Sequence, residues 1–350
     1  MCMTDKETRK LPFHVIILLA IVVFLCSCVN EKNKPNQISA NLKEEISQNN
    51  ITGTDNTGNT NKKITIQNGK YINLNDLSFL LEDTSIKSLK LGGGSYSDLS
   101  PLAMLHDLEE LSIDFNNNIT GISPIGSLSR LKKLELDLLD SLTDISSIGS
   151  LVGLESLAIH NCPKIESIEA ISFLVNLKHL SIVYSYSDKY YKELVPLKHL
   201  EVLTIYNYVR ERMDVSYIAQ LRTLKELEIK PPTYHSEDRL ININQLGNLI
   251  NLEKLSLSYL DGVDLSWITS LQKLKELRLY YCTVDDVSPL LKLPNLERVG
   301  LQISKVKDIA PLLESKSIKI ISGPIVENDI GFYDLFWERG IEYYPHRDDR

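Results

Sequence analysis

Large aliphatic residues recur along this chain in a short, fixed pattern. In the segment 274–295 the apolar positions are Leu274, Leu277, Leu279, Cys282, Val284, Val287, Leu290 and Leu293. The opening L-x-x-L-x-L spacing predicts a short strand with alternate side chains pointing inward, and the later positions predict a return segment that fills the same core. One copy cannot bury its apolar face alone, so the pattern requires neighbouring copies on both sides.

Copies of this pattern follow one another at a nearly constant period. They open at Ile86, Leu108, Leu131, Leu154, Leu177, Leu200, Leu224, Leu252, Leu274, Leu296 and Ile318. The steps between them are 22, 23, 23, 23, 23, 24, 28, 22, 22 and 22 residues. This predicts an α/β solenoid over residues 86–321: a right-handed leucine-rich repeat horseshoe with a parallel concave β-sheet. We expect about ten to eleven repeats of 22–24 residues and short helical or irregular convex arms.

The ends of such an array need caps, because a terminal repeat exposes half of its core. Residues 64–85 are predicted to form the N-terminal cap, with a strand near 64–66 and a short amphipathic helix over 74–81. Residues 322–350 are predicted to form the C-terminal cap, where four apolar residues at helical spacing suggest a packed helix: Phe332, Leu335, Phe336 and Trp337. A partner-binding motif is the alternative interpretation of this aromatic cluster.

The return segments share a second signature, seen in VDDVSPLLKL at 284 and VKDIAPLLES at 306. Over residues 86–321 the chain resembles the internalin-like bacterial leucine-rich repeat family, which implies a curved array with a concave sheet. That family usually places Asn three residues after the third strand leucine, yet here the position is Asn only at Asn116. In the other repeats it is Cys162, Ser185, Cys282 and Ser304, or Leu139, Tyr208, Pro232 and Leu260. We therefore expect an irregular hydrogen-bonded ladder.

The N-terminus has the pattern of a targeting signal. Lys6, Arg9 and Lys10 precede an apolar run over 15–25, and Leu25-Cys26-Ser27-Cys28 follows. This resembles a bacterial lipobox and implies a signal peptide over 1–27 with lipidation at Cys28. An uncleaved transmembrane anchor is the alternative, although the apolar stretch is short for a span. The polar segment 28–63 is predicted to be a flexible tether.

Charge and chemistry exclude several classes of function. The net charge of −8 and the lack of a basic stripe argue against nucleic-acid binding. Cys162 and Cys282 occupy one repeat position five repeats apart, so they are predicted to be buried free thiols. His160 and His179 lie four register positions apart along their strands, which excludes a shared metal. We expect no enzyme activity, cofactor, metal or small-molecule substrate.

A binding patch is predicted on the strands between 154 and 206, whose outward positions carry no Asp, Glu, Lys or Arg. Tyrosines crowd the loops that leave these strands, and the insertion over 231–239 follows; Tyr is favoured at interfaces. The predicted ligand-binding residues are Ala158, His160, His179, Val183, Tyr184, Tyr186, Val202, Tyr206, Tyr208 and Tyr234. The alternative is that these tyrosines reflect strand propensity and loop packing.

These observations predict a membrane-tethered, extracytoplasmic leucine-rich repeat lipoprotein of the bacterial envelope, on the cell surface or the periplasmic face. It would bind another protein through its concave face and Tyr-rich loops, as a surface adhesin or host-interaction protein would. One alternative is a structural or assembly protein of the envelope with no foreign ligand. Another is a carbohydrate-binding module, against which the scarcity of Trp counts.

Overall fold

The computed structural model describes residues 52–54, 60–67, 77–82, 84–185, 188–207, 212–231, 240–326 and 331–344. The predicted signal peptide, the lipidation site Cys28 and most of the predicted tether lie outside these residues. No helix in the described part of the chain has the length and apolar character needed to cross a membrane.

One long sheet runs through the whole array. Its strands, with the two of a small second sheet, are β1 (Thr52–Thr54), β2 (Thr60–Gln67), β3 (Ser88–Gly92), β4 (Glu110–Asp114), β5 (Lys133–Asp137), β6 (Ser156–His160), β7 (His179–Ser185), β8 (Val202–Asn207), β9 (Met213–Asp214), β10 (Glu226–Lys230), β11 (Leu240–Ile241), β12 (Lys254–Ser258), β13 (Glu276–Tyr280), β14 (Thr283–Val284), β15 (Arg298–Val306), β16 (Ile320–Val326) and β17 (Glu342–Tyr344). From β2 to β17 the main strands pair in parallel and in chain order, while β1 is antiparallel to β2 and β14 joins β15. The small sheet pairs β9 with β11. The predicted parallel-sheet solenoid is confirmed.

Buried leucines keep the strands in register. Leu134 of β5 pairs with Leu157 of β6, which pairs with Leu180 of β7, and all three side chains are buried. A shift of one residue would turn every leucine towards solvent, so the apolar core specifies the pairing. The 28-residue step leaves this register unchanged, because Ile229 of β10 still pairs with Leu257 of β12.

The return arms are short 3₁₀ helices. They span Ser78–Glu82, Ser100–Met104, Ser123–Ser127, Ser146–Ser150, Glu169–Phe173, Asp188–Leu194, Ile218–Gln220, Ile243–Asn248, Ser266–Ser270, Ser288–Lys292 and Ala310–Glu314. An aspartate begins several of them: Asp264 Oδ1 accepts the Ser266 N–H at 2.8 Å, and Asp286 Oδ1 accepts the Ser288 N–H at 2.8 Å. These carboxylates satisfy a backbone donor where a helix starts, which explains the repeated Asp of the return-arm signature.

The hydrogen-bonded ladder after the strands is irregular, as expected. Asn116 is buried and its Nδ2 donates to the Tyr96 carbonyl at 2.9 Å. Ser304 is buried at the same repeat position, donates to the Leu279 carbonyl at 3.0 Å and accepts the Cys282 N–H at 2.9 Å. Cys162 and Cys282 are buried free thiols, which confirms that prediction.

The residue that enters each strand alternates in charge along the array. From the first repeat to the last these residues are Lys87, Glu109, Lys132, Glu155, Lys178, Glu201, Lys225, Glu253, Lys275, Glu297 and Lys319. Neighbours of opposite sign pair across the repeats: Lys178 Nζ lies 2.7 Å from Glu155 Oε2, and Lys275 Nζ lies 2.6 Å from Glu253 Oε2. The result is a row of alternating charges that crosses the sheet at the entries of its strands.

The two ends differ in detail from the expected caps. β2 begins at Thr60, before the predicted boundary at 64. Of the predicted N-terminal helix over 74–81, the described residues form a 3₁₀ helix at Ser78–Glu82 that follows the buried Leu77, and residues 74–76 lie outside the described ranges. At the other end helix α1 (Phe332–Glu338) packs Phe336 fully into the core, and β17 then joins the sheet.

Candidate functional site

Three side chains per strand face the concave surface, and the sheet register arranges them in three rows. The first row runs from His179 through Val202 to Glu226. The third row runs from His160 through Val183 and Tyr206 to Lys230.

Six residues of the predicted patch come together on adjacent strands β6, β7 and β8. They are Ala158, His160, His179, Val183, Val202 and Tyr206. Four tyrosines of the predicted patch remain. Tyr184 lies within β7, and Tyr186, Tyr208 and Tyr234 lie outside the described residues. The patch stays a prediction.

The histidines of this patch do not form a metal site. His160 pairs with Val183 and His179 pairs with Ser156, so the two rings belong to different rows. His160 Nε2 is instead 2.7 Å from Ser181 Oγ. Within the described ranges no group of three or more His, Cys, Asp or Glu could hold a metal ion.

A concavity of the described residues lies further along the same face. It has a volume of about 620 Å³ and extends from β8 to β16. Its floor and rim are formed by Tyr206, Glu228, Lys230, Ser256, Ser258, Glu276, Arg278, Tyr280, Arg298, Val299, Gly300, Gln302, Ile320 and Ser322. Only Tyr206 belongs to the predicted patch. We call this concavity the C-terminal depression.

Backbone features of β15 and β16 create the depression. Gly300 stands in the central row, where the preceding strand carries Arg278, and the Gln302 side chain lies over it: a Cβ at Gly300 would be 2.7 Å from Gln302 Oε1. The register then shifts after Gly300. Gly323 has a φ of +79°, and a Cβ there would lie 2.7 Å from Gln302 Cα, so β16 can approach β15 this closely only with glycine.

Tyr206, Lys230 and Tyr280 form one border of the depression, and the rings of Tyr259 and Tyr281 pack against this border. Lys230 Nζ lies 5.4 Å from the ring centre of Tyr206 and 5.8 Å from that of Tyr259. Tyr259 stacks on Tyr281 with ring centres 5.2 Å apart, and Tyr281 meets Tyr280 edge to face at 4.8 Å. The packed rings hold one another in fixed orientations, and Tyr280 and Tyr281 remain 36% and 42% exposed.

The two carboxylates of the depression are already engaged. Tyr206 Oη donates to Glu228 Oε1 at 2.7 Å. Arg278 Nε and Nη2 donate to Glu276 Oε1 at 2.7 and 2.6 Å. By contrast, neither Lys230 nor Arg298 forms an ion pair with a carboxylate of the described chain.

Most of this site lies outside the predicted patch, because tyrosine density points to residues 184–208 whereas the depression depends on backbone shape. Arg298 and Gly300 lie beyond the strands between 154 and 206 on which the patch is predicted. The sequence signal for this site is the glycine between the second and third inward-facing positions of the strand pattern, in Val299-Gly300-Leu301.

The repeated strands, 3₁₀ return arms and concave sheet define a leucine-rich repeat solenoid, a fold that presents an extended concave surface for binding. The fold is internalin-like: the chain resembles the solved internalin InlF from Listeria monocytogenes, with a TM-score of 0.58 and 20% sequence identity over 76% of this chain and 77% of that one. The leucine-rich repeat protein LIC12759 from Leptospira interrogans matches with a TM-score of 0.44 and 18% identity over 78% of this chain and 87% of that one. No protein-family model and no curated protein matches the chain.

Proposed function

We propose that this chain is a membrane-tethered, extracytoplasmic and non-enzymatic protein that binds another protein through its concave sheet, as a surface adhesin does. The tether rests on the basic and apolar leader and on the lipobox-like Leu25-Cys26-Ser27-Cys28. The binding role rests on the concave face of a fold that serves as a protein-interaction scaffold.

The observation that carries the binding role is the exposed tyrosine pair at the border of the C-terminal depression. Tyr280 and Tyr281 offer large apolar area with hydroxyl tips, and their mutual packing with Tyr259 means that little side-chain freedom is lost on binding. Such rigid aromatic residues beside a concavity are typical of the few positions that dominate binding energy.

Partner capture tests this role. The full chain in native membranes, cross-linked to host-cell surface proteins and, separately, to envelope proteins, is expected to retain one partner. Tyr280→Ala with Tyr281→Ala should weaken its binding by about 2 kcal/mol or more. Tyr333→Ala is the matched control, because this exposed tyrosine lies in α1, outside the concave sheet. Equal capture by all three proteins would refute binding at this border.

The same assay decides between the two parts of the concave face. A variant with Tyr184, Tyr186, Tyr206 and Tyr208 all changed to Ala removes the tyrosines of the sequence-predicted patch. If this variant loses the partner while the Tyr280 and Tyr281 variant keeps it, the binding site is the earlier patch. A partner from the envelope alone would favour an assembly role over adhesion.

Membrane tethering is tested through the lipid. Metabolic labelling with a fatty acid should mark the protein, Cys28→Ala should abolish the label, and Cys26→Ala should retain it. Protease added to intact cells should cut within 28–63 if the protein lies on the surface. Labelling that survives Cys28→Ala would refute the proposed anchor site.

A further inference from the structure

The charges of the concave face change sign along the array. On β4 and β5 the outward side chains carry four carboxylates, of Glu110, Asp114, Glu135 and Asp137, and one ammonium, of Lys133. In the C-terminal depression there are three cations and two carboxylates, so its lining has a net charge of +1 in a chain whose net charge is −8. This depression is therefore a locally basic part of an acidic protein.

Cations outnumber carboxylates in the depression. Glu276 is ion-paired with Arg278, and Glu228 keeps its charge while it accepts a hydrogen bond from Tyr206. Lys230 is half-buried between two aromatic rings, and Arg298 is exposed at the first-row position of β15. Neither has a carboxylate partner in the described chain, although Lys and Glu pair along the nearby strand entries.

We propose that the C-terminal depression binds an extended acidic segment of the protein partner, with one carboxylate at Arg298 and a second at Lys230. This inference rests on the proposed function, because it specifies which chemistry the bound protein presents. Neutral donors between the two cations, among them the Ser256 and Ser322 hydroxyls and the Gln302 amide, would bond the backbone and polar side chains of that segment.

The sheet geometry sets the spacing of the two carboxylates. Arg298 lies in the row of Glu226, three strand steps away from β10, and Lys230 lies four residues after Glu226 on β10. At about 4.8 Å per strand and about 3.3 Å per residue, the two Cα atoms are ~19 Å apart. An extended chain covers this diagonal in about six residues.

The separation of the two cations makes the depression selective for a segment rather than for a single anion. Tyr280 and the Gln302 side chain, which covers Gly300, line the path between the two cations. A small anion would contact one cation at a time, whereas an acidic segment contacts both cations and the floor.

A fluorescent peptide tests the proposal with the full chain in detergent. The probe is a peptide of about twelve Ser and Thr residues, blocked at both ends, with two Glu about six residues apart; its counterpart carries Gln at both sites. We expect anisotropy to show binding of the Glu probe, at least about tenfold weaker binding by Lys230→Gln with Arg298→Gln, and weaker binding at high salt. Lys275→Gln is the control, because this lysine is paired with Glu253 outside the depression and should leave probe affinity unchanged.

Several results would overturn the acidic segment. These are no binding of the Glu probe at about 1 mM, equal binding of the Gln probe, or equal affinity in the double variant whose thermal unfolding matches that of the native chain. Oligogalacturonate that binds through Lys230 and Arg298 when the Glu probe does not would reassign the depression to an acidic glycan. A captured partner that is lost in the Tyr280 and Tyr281 variant but kept by the charge variant would leave the proposed function intact and refute this inference alone.

Discussion

A left-handed backbone residue recurs where the chain leaves the strands. Six such residues directly precede the ladder position of their repeats: Phe115, Leu138, Asn161, Tyr259, Tyr281 and Ile303, with φ between 50° and 58°. L-residues other than Asn, Asp and Gly adopt this conformation at a cost of about 1 kcal/mol. The turn geometry thus overrides local preference, and at Tyr281 the same geometry places an aromatic ring against both Tyr259 and Tyr280.

Phe115 allows this strain to be measured. Its side chain is 63% exposed and its φ is 54°. Phe115→Gly and Phe115→Ala both remove the ring, but only glycine relieves the left-handed strain. The glycine variant should therefore be more stable than the alanine variant by about 0.5–1 kcal/mol. At Val152, which is 58% exposed with an ordinary φ, alanine should instead equal or exceed glycine. Chemical unfolding midpoints measure both differences. If alanine is at least as stable as glycine at position 115, as expected at position 152, then Phe115 is unstrained.

The buried thiols predict how stability depends on pH. Burial raises the pKa of Cys162 from 9.0 to about 12 and that of Cys282 from 9.0 to about 11. Because each thiol has a higher pKa in the folded state than in the unfolded state, its contribution to the free energy of unfolding is complete below pH 9.0. That contribution is lost as pH rises towards 11 and 12.

Unfolding midpoints across this range provide the test. Between pH 9 and 11 the native chain should lose more than about 1 kcal/mol through these thiols. The variant Cys162→Ala with Cys282→Ala should start lower, because it leaves small cavities, but should decline less steeply with pH. Burial raises the pKa of Tyr96 to about 12 in both proteins, so its contribution cancels in the comparison. Parallel pH profiles would contradict the assignment to the cysteines.

At the scale of the strand, the alternating charges at the strand entries complement the leucine register. Each inner Lys lies between Glu residues of the neighbouring repeats, and Glu155 contacts both of its neighbours, Lys132 and Lys178, at 3.6 and 2.7 Å. An isolated exposed pair contributes little, but a charge that pairs with two neighbours contributes more. A repeat displaced by one step would place like charges side by side.

Reversal of one charge measures how much the alternating charges at the strand entries contribute to stability. Glu155→Lys creates a run of three neighbouring lysines and should lower the unfolding midpoint of the array at low salt, with a smaller effect at high salt. Glu314→Lys, at an exposed glutamate of a return arm, is the control and should change stability by less than about 0.5 kcal/mol. Salt-independent destabilisation would mean that packing rather than charge is responsible.

At the scale of the whole molecule, the leucine period was sufficient to predict the solenoid. The inward positions are buried in every described repeat, and the pairing of strands follows from stacking leucines. The ladder's irregularity also followed from residue identity, since Ser304 and the two cysteines cannot bond as asparagine does.

The candidate site was less accessible to sequence reasoning. The depression depends on a register shift in β15 and on the close approach of Gly323 to Gln302, neither of which has a hydropathy signature. The C-terminal helix shows the same limit: helical spacing grouped four apolar residues, yet Phe336 is buried while Leu335 and Trp337 are 47% and 65% exposed. Which face packs is decided by β17 and the last repeat, not by spacing within the helix.

This helix provides the test of how far stability is transmitted along the array. Phe336 is fully buried and its ring centre lies 5.0 Å from that of Tyr343 in β17, so Phe336→Ala should cost about 3–5 kcal/mol. Because each repeat contacts only its neighbours, the loss should stay near the end of the array. Hydrogen exchange should accelerate in β16 and β17 and remain unchanged in β4 to β6, while the exposed Trp337→Ala should alter neither region. Uniform acceleration over all strands would instead show that the array unfolds as one cooperative unit, with this cap setting the stability of the distant strands as well.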